Sequence, residues 1–208
     1  MPDVDIPDLD ALLATDPFVK RSILSAEQLQ ALEASLGVTL PPDYRALALR
    51  YDLATLGSEG FRFAPDPPYL PHASGYVQAL QAQLDGRNSP FMQLFNMRRV
   101  ITVGSYEDEC ILALAVDTAI TAAGVTTQPY GSLWLYDPMD PDPARRASAV
   151  FDFVSSSFTQ AVHMMYYAKY VIAHAASEQP DELFAALQAI DPAIERHIFW
   201  RDWLSMLK

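Results

Sequence analysis

Cysteine is almost absent from the sequence: Cys110 is the single one among 208 residues, which excludes an internal disulfide framework. Cys110 opens the apolar run CILALAV, a setting that favours a buried structural thiol over a nucleophile. Long apolar runs are also missing, since none approaches the ~18 residues of a membrane-spanning helix. The first residues, MPDVDIPDLDALL, are acidic, whereas a secretory signal starts basic and continues apolar. We therefore expect a cytoplasmic protein.

Positive charge is scarce as well. The chain has 14 Lys and Arg residues against 26 Asp and Glu residues, a formal net charge of -12. Nucleic-acid phosphates require a basic surface, and an anionic membrane attracts clustered cations, so we expect neither a nucleic-acid nor a membrane partner. The balance permits a basic protein partner, although many soluble proteins are simply acidic.

The patterns that carry catalysis are missing too. With only 8 glycines, neither G-x-G-x-x-G nor G-x-x-x-x-G-K-[ST] occurs, and neither do H-E-x-x-H, C-x-x-C or G-x-S-x-G. His163 and His174 lie on one predicted helix about 16 Å apart, too far to share a metal ion. Ser155, Ser156 and Ser157 are placed to cap that helix. The sequence predicts no catalytic, cofactor-binding or metal-binding residue, and we expect the protein not to be an enzyme.

The stretch LGVTLPPDYRALALRY (36–51) joins two predicted helices. Ser25 and Gln28 form a capping-box pattern at the start of the first helix, which we predict over 25–36. Gly37 suits the left-handed conformation that ends a helix. Pro41 or Pro42 suits the first turn of the next helix, which we predict over 42–56.

The middle of the chain reads as β-structure. Four short runs rich in β-branched and aromatic residues occur at 98–105, 109–117, 130–137 and 148–154. Because the gaps are too short for crossover helices, we expect antiparallel neighbours. Helical patterns precede and follow these runs. The sequence thus predicts an α+β fold, with a mostly antiparallel sheet of about four to six strands covered by N- and C-terminal helices.

Two loops of the predicted sheet are rich in carboxylates. The first, SYEDEC (105–110), has a plain interpretation as a solvated turn and a sharper one as an acidic edge that faces a partner. On the second interpretation, the candidate partner-binding residues are Glu107, Asp108 and Glu109 in one loop and Asp137, Asp140 and Asp142 in the other.

Several short motifs along residues 20–170 resemble one known family, the SMI1/KNR4 (SUKH) superfamily. Two of the motifs are Leu-Glu and Leu-Gly pairs at the first predicted helix, and a third is the Leu-Pro connector with the Asp-Tyr-Arg start of the second helix. The others are a strand that contains a Gly-Ser pair and an aromatic segment that precedes the long helix. Their residues are Leu32-Glu33, Leu36-Gly37, Leu40-Pro41, Asp43-Tyr44-Arg45, Ile101, Gly104-Ser105, Phe151, Phe153, Phe158 and Val162.

The resemblance implies an α+β domain, which we place at 1–176, with 177–208 as a helical extension packed on it. Bacterial members of that family are largely immunity proteins, so the implied partner is a cognate protein toxin, with a basic nuclease as the best match to the acidic charge. The alternative is a scaffold or regulatory protein of the same fold that has no toxin partner. In either case the double-proline stretch is a scaffold element and not a reactive motif.

Overall fold

The described elements follow one another as a block of helices, a block of strands and a second block of helices. The computed structural model describes residues 6–58, 60–63, 100–107, 110–116, 119–120, 127–137, 151–174, 180–197 and 199–206. Its helices are α1 (Leu9–Thr15), α2 (Ala26–Leu36), α3 (Pro42–Arg50), α4 (Phe158–His174), α5 (Pro180–Ile190) and α6 (Phe199–Met206), with 3₁₀ turns at Leu53–Thr55 and Pro192–Arg196. Its strands are β1 (Gly57–Ser58), β2 (Phe61–Arg62), β3 (Val100–Tyr106), β4 (Cys110–Ala115), β5 (Ala119–Ile120), β6 (Thr127–Gln128), β7 (Leu133–Tyr136) and β8 (Phe151–Ser155).

One six-stranded sheet forms the centre of the described part, in the order β1-β2-β3-β4-β7-β8. Every neighbouring pair in it is antiparallel, and β5 and β6 form a separate two-stranded ladder. The predicted α+β fold with an antiparallel central sheet is therefore confirmed.

The helix pair before the sheet follows its sequence signals at three of its four ends. Ser25 and Gln28 form the capping box, Gly37 is left-handed at φ 64°, and Pro42 is the first residue of α3. The fourth end was predicted wrongly, because α3 stops at Arg50 and not at 56. Tyr51 is extended and pairs across with Arg21 in an antiparallel bridge, and this tertiary pairing ends the helix.

The core lies on both faces of the sheet. Leu133 and Trp134 are neighbours in β7, so their side chains point to opposite faces, yet both are buried. Phe158 at the start of α4 is fully buried and its ring meets Tyr44 of α3 edge-on, with centroids 4.7 Å apart. Burying side chains of this size contributes about 1.5–3 kcal/mol each. Helices α1, α3 and α5 all contact α4, so α4 is central among these four helices.

The C-terminal elements also reach the sheet. The indole of Trp200 is fully buried, stacks on Phe61 with centroids 5.8 Å apart, and donates from Nε1 to the Val154 carbonyl at 2.7 Å. Asp191 is buried and accepts hydrogen bonds from the Ser155 hydroxyl (2.7 Å) and the Ser156 N–H (2.6 Å). Residues 180–206 thus share the core of the preceding elements, whereas a domain boundary at 176 stays a prediction.

Two details differ from the sequence interpretation. Of the three serines expected to cap α4, Ser157 does so by accepting the Gln160 N–H at 3.2 Å, while Ser155 and Ser156 bind the Asp191 carboxylate. Cys110 was expected to be buried but is half-buried, because it is the first residue of its strand. The helical pattern GYVQALQAQL, residues 75–84 of the sequence, lies outside the described residues.

Candidate partner-binding site

The strand register brings Glu107 and Asp137, the first residues of the two acidic loops, to the same end of the sheet. Tyr106, at the end of β3, is opposite Cys110, the first residue of β4. Tyr136, at the end of β7, is opposite Ile111 of β4. The chain therefore leaves β3 and β7 at one end of the sheet, on either side of β4, where the strands are spaced by about 4.8 Å.

Glu107 is the acidic residue whose position is defined most completely. It is exposed and non-glycine, yet its φ is 52°, a left-handed conformation that costs roughly 1 kcal/mol or more. Its N–H donates to the Gly60 carbonyl at 2.9 Å, and its Oε1 accepts from the Tyr106 hydroxyl at 3.1 Å. The first contact fixes the Glu107 backbone, and the second orients its carboxylate at the end of the sheet.

The surroundings of Tyr106 change the pKa of its phenol. Burial, followed by the negative charge and the hydrogen bond of Glu107, raises the pKa of the Tyr106 phenol well above its usual value. The phenol therefore remains a hydrogen-bond donor to Glu107 across the neutral range. Sequence reasoning did not identify Gly60 and Tyr106 as the residues that hold Glu107; the adjacent Tyr-Glu pair was the available signal.

The six predicted contact residues divide by what the structure describes. Glu107 is exposed and Asp137, directly after β7, is half-buried. Asp108, Glu109, Asp140 and Asp142 lie outside the described residues. The register brings the two described members to the same end of the sheet, and the assignment of all six to a partner interface stays a prediction.

Gly104 explains how the β1–β2 hairpin comes close enough to support Glu107. A Cβ atom built on Gly104 would lie 2.0 Å from the carbonyl oxygen of Arg62 in β2. Only glycine allows this approach, since no real Cβ sits so close to a backbone oxygen. The approach places β2 beside β3, with Phe61 opposite Tyr106. We call the end of the sheet where Glu107 and Asp137 lie the acidic end of the sheet. The glycine of the Gly-Ser motif is thus required for the strand packing next to it.

Glu33 connects the motif residues of the helix pair. Its carboxylate is buried, accepts the Leu40 N–H at 2.7 Å, and forms an ion pair with the Arg45 guanidinium. The same carboxylate thus fixes the connector and the second turn of α3. Sequence reasoning identified the motif but not this bond, because the pairing depends on how α2 and α3 meet in space.

Asp43 and Tyr44 fasten the helix pair to α4. The Asp43 carboxylate accepts the N–H of Thr159 at 3.0 Å, at the N-terminus of α4, where the helix dipole favours negative charge. The Tyr44 ring is fully buried against Phe158. The double-proline stretch therefore positions scaffold elements: Asp43 and Arg45 of this stretch form structural bonds, and Tyr44 contributes its buried ring.

Within the described ranges, no group of three or more His, Cys, Asp or Glu residues is arranged to hold a metal ion. No helix among the described residues is long and apolar enough to cross a membrane.

An α+β domain with a helix pair fastened by Glu33, Asp43 and Tyr44 defines the class of this protein. The profile of the SMI1 / KNR4 family (SUKH-1) matches residues 23–160, more than half of the chain, and the chain belongs to this family. The matched region contains every motif residue named above except Val162. No curated protein and no solved structure matches the chain.

Proposed function

We propose that this chain is an immunity protein that binds a cognate toxin in the bacterial cytoplasm and neutralises it without catalysing a reaction. The proposal rests on membership of a family whose bacterial members largely serve this purpose. The net charge of -12 agrees with a basic toxin, a nuclease in particular, because nucleases carry cations for their phosphate substrate.

The observation that carries the proposal is the acidic end of the sheet. Glu107 is exposed there, its backbone is fixed by Gly60, and its carboxylate is oriented by Tyr106. A side chain that is already ordered loses little conformational entropy when it pairs with a lysine or arginine of a partner. Asp137 comes directly after β7, which finishes at the same end of the sheet. These two carboxylates are the described part of the proposed contact surface.

Neutralisation then follows from the binding of this chain to the toxin. Carboxylates that pair with the cations of a toxin either fill its substrate cleft or hold the toxin away from its substrate. The acidic field also accelerates encounter with a basic partner, and this acceleration falls as salt rises. A stoichiometric inhibitor of this kind needs no nucleophile, acid–base pair or metal.

A titration tests whether neutralisation is stoichiometric. A candidate toxin is held at fixed concentration while the chain is added, and residual toxin activity is measured. Binding without turnover predicts a linear fall that ends at a fixed molar ratio. A chain that inactivates many equivalents of toxin would be an enzyme, and a folded chain that leaves the toxin active would favour the scaffold or regulatory alternative.

A further inference from the structure

A second surface, with the exposed cations Lys20 and Arg21, lies between α1 and α2. There the chain runs extended against the end of α3: the Ser22 N–H donates to the Arg50 carbonyl at 3.1 Å, and the Asp52 N–H donates to the Lys20 carbonyl at 2.9 Å. The Lys20 N–H also donates to the Thr55 hydroxyl at 3.0 Å. The segment is therefore anchored by its backbone, while its side chains are left for other contacts.

Four of these side chains form what we name the basic strip: Phe18, Lys20, Arg21 and Ile23. All four are exposed, and Phe18 and Ile23, at 75 % and 74 %, are the most exposed large apolar side chains of the described residues. Isolated exposed apolar residues are ordinary on protein surfaces. Phe18 and Ile23, however, lie within six residues of each other and flank two cations. The strip therefore offers both apolar and charged side chains for recognition.

A pocket of about 230 Å³ opens beside the strip. Leu13, Val19 and Tyr51 supply its apolar lining, and charged side chains of both signs also line it: Asp10, Asp16, Lys20, Arg21 and Arg50. The pocket is smaller than the roughly 300–1,000 Å³ that drug-sized ligands occupy. A single side chain fits this space better than a cofactor does, and a small ligand would leave Phe18 and Ile23 uncovered.

The two carboxylates that line the pocket, Asp10 and Asp16, are already paired. Asp10 accepts hydrogen bonds from Arg50 at 2.6 Å and from the Tyr51 hydroxyl at 3.0 Å. Asp16 accepts from Lys169 at 2.8 Å and from the Phe18 N–H at 2.9 Å.

The cations of the strip are not paired in this way. Lys20 and Arg21 form no ion pair with any carboxylate of the described residues. The Arg21 guanidinium lies over the Tyr51 ring, 5.1 Å from its centroid, which orders it at the edge of the pocket.

We propose that the basic strip and its pocket bind an acidic segment of a partner protein. An apolar side chain of that segment enters the pocket, its flanking Asp and Glu residues pair with Lys20 and Arg21, and its ends cover Phe18 and Ile23. Charge complementarity selects this occupant over a basic segment. This surface is separate from the proposed toxin contact, because it requires an acidic partner.

The test uses the full chain and short synthetic peptides, each with one central leucine or phenylalanine flanked by Asp and Glu residues. Binding is followed by ¹⁵N chemical-shift changes. We expect saturable shifts at Phe18, Lys20, Arg21 and Ile23. The double change Lys20→Glu with Arg21→Glu is expected to weaken binding about tenfold or more. The matched control is Arg201→Glu, an exposed arginine on α6, which should leave the affinity unchanged.

Further peptides and two assays keep the proposal falsifiable. Peptides with Lys and Arg in place of the acids should not bind, and acidic peptides without the apolar residue should bind more weakly. Failure of every acidic peptide to shift the strip, or an equal loss in the Arg201→Glu protein, would overturn the proposal. So would sedimentation showing self-association that the double change abolishes, or tighter binding to anionic phosphatidylserine vesicles than to the peptides. None of these outcomes depends on the toxin.

Discussion

The carboxylate of Glu33 and the guanidinium of Arg45 form an ion pair between α2 and α3, and the Glu33 side chain is only 11 % exposed. The same carboxylate accepts the Leu40 N–H at 2.7 Å. One buried group therefore fixes both the connector and the helix that follows it. The family motifs around the two prolines are joined by this single side chain.

Replacing Glu33 tests how much the fold depends on it. We expect Glu33→Ala to lower the free energy of unfolding by about 2–4 kcal/mol, because Leu40 loses a buried acceptor and Arg45 loses its counter-ion. Urea denaturation measures the change. Gln30→Ala, on the exposed face of the same helix, is the control and should alter stability by less than about 0.5 kcal/mol. Equal effects of the two substitutions would show that the Glu33 contacts contribute nothing specific.

The Tyr44 hydroxyl predicts an unusual result. The side chain is fully buried, and its hydroxyl has no hydrogen-bond partner among the described residues. A buried unpaired hydroxyl carries a desolvation cost, so Tyr44→Phe is expected to leave stability unchanged or raise it by about 1 kcal/mol. The ring contact with Phe158 is retained. Thermal and urea unfolding check this, and a loss of about 1 kcal/mol or more would mean that the hydroxyl has a partner.

Gly104 connects the sheet to its acidic end. Gly104→Ala places a methyl group against the Arg62 carbonyl, so β2 must move away from β3, at a cost of about 1–3 kcal/mol or more. Because the Glu107 N–H is held by Gly60 of the same hairpin, we expect faster hydrogen exchange at Glu107 as well. Ala113, on β4, offers a control through Ala113→Gly, which removes a methyl group instead. Unchanged stability and exchange in Gly104→Ala would contradict the close approach.

Asp16 makes the free energy of unfolding depend on pH. Burial alone would raise the pKa of Asp16, but the hydrogen bonds from Lys169 and the Phe18 N–H outweigh it, and the pKa lies below its usual 3.8. Folding therefore favours the ionised form: its stabilisation is complete above about pH 4 and is lost as the pH falls through the lower folded value. Asp16→Asn should lower stability at pH 7 and flatten this part of the pH profile. A parallel profile for the two proteins would contradict the shift.

Local rules were sufficient where the determinant lies within a few residues. The capping box at Ser25 and the left-handed stop at Gly37 follow from short patterns, and so does the antiparallel sheet from its short gaps. The end of α3 was missed, since the Tyr51–Arg21 bridge is a long-range pairing without a local signal. The serines at 155 and 156 were misassigned for the same reason: Asp191, their partner, is 36 and 35 residues away.

The candidate site shows the same division. The acidic composition of the two loops is visible in the sequence, and alternating hairpins place Glu107 and Asp137 at one end once the strand order is known. The orientation of Glu107 depends on φ 52°, Gly60 and Tyr106, which no composition argument supplies. The basic strip went unnoticed because Phe18 and Ile23 are apolar, and only the structure distinguishes an exposed apolar side chain from a buried one.

The most direct measurement of the central claim is association kinetics between this chain and the proposed toxin at two ionic strengths. Glu107→Lys combined with Asp137→Lys is compared with the parent and with Glu182→Lys combined with Glu195→Lys, a matched reversal of exposed acids elsewhere. We expect the first pair to slow association about tenfold or more at low salt and to reduce its salt dependence, since rim charges govern the on-rate. The control pair should produce a smaller change. Unchanged kinetics for the Glu107 and Asp137 reversal, or an equal slowing by the control, would contradict the proposed contact at the acidic end of the sheet.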